Sequence, residues 1–309
     1  MSPSPLLHCG PAGWDFPHWD GLVYPRPRGR GFHPLRLLAG CFNALEINTS
    51  FYGPRRPEVS RLWLRLVAHN PDFLFTAKLL RRFTHERRLA EAELAAFKEG
   101  LGPLLAAGRL GCLLMQFPWS FRFTAENRDF FIRLRRSFHE FPLVAEMRHS
   151  SWMLPEAVGT FIDYHVGFCN IDQAEGVRAM PPAALLTTAI GYVRLHGRGA
   201  RARPQDFEAP APRAPGTAYL YSPAELEQWK ERIDTIARFA RAVFVITNND
   251  ARGCSVVNAL QLQAMLTGER PAAPAGLVRR YPVELADFRG EGPMQQWLFE
   301  SHPAAKAVA

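Results

Sequence analysis

Read for the alternation of apolar and polar positions, the chain carries eight short apolar runs, each closing on polar or turn-forming residues: 6–10, 44–48, 73–79, 112–117, 143–148, 167–172, 192–196 and 243–248. The gaps between most of them repeat apolar residues at helical spacing, as in Val59, Leu62, Trp63, Leu66 and Val67, or Leu226, Trp229, Ile233, Ile236 and Phe239. A run of apolar residues too short for a helix, followed by a 3.6-residue period, is the signature of a strand feeding a helix. Eight such units predict parallel strands joined by helical crossovers, with both sheet faces covered.

The fold class expected is therefore α/β: a single TIM-type (β/α)8 barrel over residues 1–267. It carries a Pro/Arg-rich loop insertion at 197–217 and a Pro/Ala-rich C-terminal extension at 268–309, within which 294–299 reads as an ordered patch. An open, doubly wound sheet is the competing architecture. It would place a G-x-G-x-x-G or G-x-x-x-x-G-K-[ST] cradle after the first strand, and Gly10, Pro11, Ala12, Gly13 and Trp14 have the wrong spacing for either. No internal repeat and no second domain are visible.

Parallel strands end on one barrel face, and here they end on ionisable and amide groups. These are Glu46 and Asn48, Lys78, Gln116, Glu146 and Arg148, Asp172, Arg194 and His196, and Asn248, Asn249 and Asp250. Glu46/Asn48, Glu146/Arg148 and Arg194/His196 are spaced by two, so each pair projects to one side of its strand, into the barrel mouth. Glu46, Glu146, Asp172 and His196 are the acid/base candidates. Asn48, Tyr52, Lys78, His85, Gln116, Arg148, Trp152, Arg194, Asn248, Asn249 and Asp250 are the substrate-binding candidates. A structural salt-bridge plug is the competing account of the same residues. Carboxylates beside arginines ionise against them before they bind a metal, no H-E-x-x-H or Cys/His cluster is present, and no metal ligands are assigned. The sequence identifies no cofactor.

Composition narrows the rest. The 309 residues are 47% hydrophobic and 21% charged, with no apolar run near the ~18 residues of a membrane helix and no secretory signal pattern. A cytoplasmic protein without a membrane partner is expected. The five cysteines are scattered within apolar runs and read as buried thiols. A net charge of +8, with arginines concentrated in loop-like stretches, points to an anionic small molecule or a nucleic acid as partner.

The motifs Gly13-Trp14, Glu46-Ile47-Asn48-Thr49-Ser50-Phe51-Tyr52, Lys78 followed by Thr84-His85, Gln116-Phe117-Pro118, Glu146-Met147-Arg148-His149-Ser150-Ser151-Trp152, Arg194-Leu195-His196-Gly197 and Asn248-Asn249-Asp250 together resemble the YecE-like family, the domain of unknown function 72. The resemblance covers the chain from Gly10 to Leu266 and implies a TIM-type barrel without an established activity. Trp119 after Phe117-Pro118 and the long insertion after Gly197 depart from the usual pattern. The readings open at this point are an acid/base enzyme, a hydrolase or isomerase, on a phosphorylated, sugar-like or nucleic-acid-derived substrate; a non-catalytic nucleic-acid-binding protein; and a metal-dependent barrel of the endonuclease or sugar-isomerase kind.

Overall fold

A computed structural model describes residues 6–199 and 218–291. Its eight main strands are β1 (Leu6–Pro11), β2 (Ala44–Ile47), β3 (Leu74–Lys78), β4 (Leu110–Gln116), β5 (Leu143–Glu146), β6 (Gly167–Asp172), β7 (Ile190–Leu195) and β8 (Ala242–Thr247). All pair in parallel, in the order β1-β8-β7-β6-β5-β4-β3-β2. Helices α1 (Pro34–Cys41), α2 (Pro57–Leu66), α3 (Arg81–Thr84), α4 (Glu91–Ala106), α5 (Ala125–Ser137), α6 (Pro155–Asp163), α7 (Pro223–Ala237) and α8 (Cys254–Thr267) lie between the strands and after the last. The expected TIM-type barrel is the fold.

Local chemistry sets the helix starts. Proline opens α1, α2, α6 and α7, where its fixed φ suits the first turn and its missing N–H is not needed. Ser222 and Glu225 form a reciprocal capping box at α7, and the Thr124 hydroxyl accepts the Asn127 N–H at α5. One unit departs from strict alternation: β6 reaches β7 through residues 173–189 without a helix. Pro181 and Pro182 interrupt any helical run there. The Asn170 side chain substitutes for helical bonding by accepting the Leu185 N–H at 2.8 Å and donating to the Leu185 carbonyl at 2.9 Å.

The ring closes between β1 and β2 without a regular ladder. Asn43 supplies the missing bonds, its Oδ1 accepting the Cys9 N–H at 2.9 Å and its Nδ2 donating to the Leu7 carbonyl at 2.8 Å. One level higher, the Gly13 N–H donates to the Glu46 carbonyl at 2.9 Å. The strands approach so closely that a Cβ on Gly10 would lie 1.8 Å from the Ala44 carbonyl oxygen, which makes glycine obligatory.

Inside the ring, His8 stacks on Phe244 with centroids 4.9 Å apart, and Tyr192 lies beside Phe244. These side chains fill the lower layers, so the barrel is a packed core, aromatic and including the polar His8 imidazole, in which charged groups gather toward the C-terminal face. Outside, the strands bury a continuous apolar shell against the helices. Beyond α8, a short pair of strands, β9 (Ala273–Pro274) and β10 (Gly290–Glu291), brackets α9 (Ala275–Arg280), and Leu277, Tyr281, Leu285 and Phe288 join the main apolar cluster. The patch at 294–299 and residues 200–217 of the insertion lie outside the described residues. No helix among the described residues is long and apolar enough to cross a membrane.

Gly10→Ala is expected to destabilise the barrel by at least the ~1–3 kcal/mol of an overpacked core, because the obstructing atom is backbone. Gly159→Ala in α6, where a Cβ meets nothing within 4 Å, is expected to stabilise by roughly 0.5–1 kcal/mol. Urea denaturation of both variants measures the contrast.

Candidate functional site

The polar layer is organised by Arg194 near the end of β7. Its guanidinium has no solvent exposure and meets two carboxylates at once. Nε donates to Glu46 Oε2 at 2.8 Å and Nη2 to Glu46 Oε1 at 2.6 Å, while Nη1 donates to Glu146 Oε2 at 2.7 Å and to Gln116 Oε1 at 3.2 Å. Below this pair, the Tyr192 hydroxyl donates to Glu46 Oε2 at 3.0 Å and lies 2.9 Å from Thr76 Oγ1. Strand register produces the convergence: Gln116 pairs with Glu146, and Glu46 with Thr76, so the groups stand at neighbouring heights on the inner wall.

Glu146 is shared. Its Oε1 lies 2.6 Å from Arg148 Nη2 and 3.3 Å from His196 Nε2. Burial alone would raise the Glu146 pKa, but Arg148 and Arg194 outweigh it and hold the carboxyl well below its usual range. Burial, reinforced by Arg148, keeps His196 neutral despite Glu146. Its Nδ1 faces the donors Asn248 Nδ2 at 2.9 Å and Arg148 Nη2 at 3.5 Å, which assigns the ring proton to Nε2, on the Glu146 side. Gln173, directly after β6, accepts from Arg148 Nη1 at 3.0 Å.

Above this layer stands Lys78, the last residue of β3, half-buried at the mouth. Its Nζ lies 4.2 Å from the centre of the Phe51 ring, and among the described residues no carboxylate lies within salt-bridge distance. Glu46, the nearest acid by strand neighbourhood, has both oxygens committed to Arg194. Burial, then the Arg194 charge, pull the Lys78 pKa down to about 7 against the opposing pull of Glu46 and Glu146. His85 packs edge-on against the other side of this group, 5.2 Å from Phe51, with Nδ1 2.9 Å from Thr84 Oγ1. Burial and the charges of Lys78 and Arg81 take the His85 pKa to about 3. Three buried atoms in this part of the mouth lack hydrogen-bond partners among the described residues: His85 Nε2, Arg81 Nε and Asn48 Oδ1.

The structure thus brings together Glu46, Glu146, Arg148, Arg194, His196, Gln116 and Asn248, with Lys78, His85 and Asn48 at the mouth. It does not bring in Asp172. That carboxylate leaves β6 on the helix side, accepts from Trp229 Nε1, and is chelated by Arg198 at 2.7–3.0 Å. The inward positions of β6 are instead those of Cys169, whose Sγ is 3.9 Å from Glu146, and Ile171. Trp152 is also out of reach, wholly buried against Phe121 with its Nε1 donating to the Phe121 carbonyl. Asn249 binds the Tyr219 carbonyl and Asn258, and Asp250 receives Trp19 Nε1 on its carbonyl, so both organise loops. Tyr52 is 69% exposed on the rim. Sequence reasoning missed Tyr192, Gln173 and Arg81. Tyr192 shares the period of Arg194 and His196 and was legible, whereas Gln173 follows β6 in a loop and Arg81 opens the short α3, and no local pattern reveals the direction of either side chain. Among the described residues no three His, Cys, Asp or Glu side chains are grouped so as to hold a metal ion.

Glu46→Gln leaves the buried Arg194 charge half-compensated and is expected to cost ~3–5 kcal/mol, read by urea denaturation. The depressed Glu146 pKa contributes stability above the ordinary carboxyl pKa of ~4.3 and loses it as the pH falls below that value. Acid unfolding of Glu146→Gln is therefore expected to be shallower than that of the wild type, measured by circular dichroism from neutral pH downward.

Residues 8–280 match the family described as "Protein of unknown function DUF72". The chain is 25% identical over 274 residues to the UPF0759 protein YunF of Bacillus subtilis, covering 84% of this chain and 95% of that protein. A crystal structure of a DUF72 family protein from Thermotoga maritima superimposes with a TM-score of 0.72 at 29% identity, covering 84% of this chain and 99% of that one. Another, from Enterococcus faecalis, gives 0.66 at 25% identity, covering 75% and 92%. With the match running from the first strand through α9, this chain belongs to the DUF72 family.

Proposed function

We propose that the barrel mouth is the active site of an enzyme that performs acid/base chemistry on a small anionic substrate of the phosphorylated, sugar-like or nucleotide-derived kind. One observation carries the reading. Glu46 and Glu146 cancel Arg194 and Arg148, while Lys78 and Arg81 stand at the mouth without a carboxylate partner among the described residues. A plug that served stability alone would leave no half-buried cation unmatched, because an uncompensated charge there costs free energy. An anion entering between Lys78, Arg81 and the partnerless Asn48 and His85 atoms supplies the missing partner.

In this reading the carboxylates and His196 fix the field. The Glu46–Arg194–Glu146–Arg148 chain is preorganised, so its dipoles need not reorient as charge develops on a substrate. Lys78 moves protons. Its pKa of about 7 leaves comparable amounts of ammonium and amine at neutral pH, the condition under which one group serves as both acid and base.

Inorganic phosphate and pyrophosphate are expected to raise the melting temperature of the wild-type protein, with affinity weakening as the pH rises through about 7 and Lys78 loses its proton. Lys78→Met is expected to lose at least about tenfold in affinity, roughly 1.4 kcal/mol. The same variant is expected to be more stable than the wild type at neutral pH. The lowered pKa makes the native ammonium costly below about 7, and that cost fades as the pH approaches the ~10.4 of an unfolded lysine. Calorimetric titration and thermal melts check both; unchanged phosphate affinity in Lys78→Met overturns the proposal.

A further inference from the structure

The chain contains 37 basic residues but only four lysines, at positions 78, 98, 230 and 306. Lys98 pairs with Glu140 and Lys230 with Asp234, both on the surface, in roles an arginine also fills. Lys306 lies outside the described residues. Lys78 alone among the described lysines lies inside the barrel, at an end where β7 and the segment after β5 use Arg194 and Arg148 for charge. An arginine remains protonated at any physiological pH, whereas a lysine can release its proton and present a nucleophilic nitrogen.

We infer that Lys78 is a Schiff-base lysine, and that the substrate is a carbonyl compound that also carries a carboxylate or phosphate. The geometry supports each part. The amine is half-buried, unpaired with any described carboxylate, and crowded by the Arg194 and Arg148 charges, all of which favour its neutral form. Phe51 and His85 wall one side, and Arg81, three residues along the chain, offers an unmatched guanidinium for the anionic group. This inference rests on the reading of the mouth as a site for an anionic substrate and names its reacting group.

The step balances without a further reagent. The Lys78 Nζ lone pair forms a bond to the carbonyl carbon as the C=O π pair moves to oxygen, giving a carbinolamine. The two protons of the neutral amine leave with that oxygen as water when the C–O bond breaks and the C=N bond forms. Once protonated by solvent, the imine withdraws electrons from the adjacent carbon, which opens proton abstraction or carbon–carbon cleavage there.

The test incubates full-length protein with glyoxylate or glyceraldehyde 3-phosphate and sodium cyanoborohydride, then maps reduced adducts on lysine peptides by mass spectrometry. The expected result is adduct on Lys78 forming at least about tenfold faster than on Lys98 or Lys230 at neutral pH, with a rate that rises through about pH 7. Excess inorganic phosphate is expected to slow it. Labelling spread over the lysines by exposure, or appearing on Lys78 only in strong alkali, overturns the inference. Lys78→Arg separates the two proposals, since it keeps the charge and removes the nucleophile. Phosphate binding retained in Lys78→Arg, with Lys78 unlabelled in the wild type, rejects the Schiff base and spares the anion site. Adduct on wild-type Lys78 without phosphate binding supports the nucleophile and rejects the anion site. The wild-type mapping stands even if a variant fails to fold.

Discussion

A guanidinium with no solvent exposure sits at the centre of this barrel, and the arrangement around it follows from the need to neutralise it. Moving Arg194 out of water is costly enough that a single carboxylate on one edge would not suffice. Glu46 takes one edge from β2 and Glu146 the other from β5, so Arg194 ties three strands of the ring through charge-assisted bonds. Glu146 then needs Arg148, and Arg148 needs Gln173. Each strand end is thereby obliged to carry a polar group at a set height, and the mouth inherits its geometry from that obligation.

The contrast with Lys78 follows from the same constraint. Every acceptor within reach of Arg194 is already engaged, so a lysine one level higher finds strong positive charge beside it and no free carboxylate. The fold thus holds two kinds of cation at one end of the barrel: one immobilised between two carboxylates, the other with its pKa drawn down to about 7. Burial does most to lower the pKa of the second kind, and the charge of the first adds to it.

Much of this was legible in the sequence. The eight apolar runs marked the strands to within a few residues, because both faces of a parallel barrel are covered and the strands read as short continuous apolar stretches. The pairs Glu46/Asn48, Glu146/Arg148 and Arg194/His196 pointed inward as their period required. Asp172 shows where that reading fails. Asn170 and Asp172 form a polar pair of the same period, yet they lie on the helix side, where Asp172 serves Trp229 and Arg198 and Asn170 serves the segment at Leu185. When both faces are buried, alternation gives the spacing of a pair but not its sense, and only the tertiary partner decides it. Trp152 failed for a related reason: an aromatic ring after a strand is equally suited to the mouth and to the shell beneath the loops. The stretch at 173–189 was legible only as an interruption, since the side chain that organises it lies on the preceding strand.

The seam between β1 and β2 gives the chain a particular order of assembly. β1 has a full ladder only with β8, Cys9 opposite Val245, and meets β2 through the Asn43 amide and a single bridge at Ala12 and Glu46, with no continuous ladder. During synthesis the first strand therefore emerges with its main partner still unmade, and the tight approach of Gly10 to Ala44 gives it only a toehold. Strands two to seven can pair with their neighbours as they appear, while the first must wait for the last. Until β8 takes its place beside β1 no regular ladder closes the ring, and the interior charges have no complete wall around them.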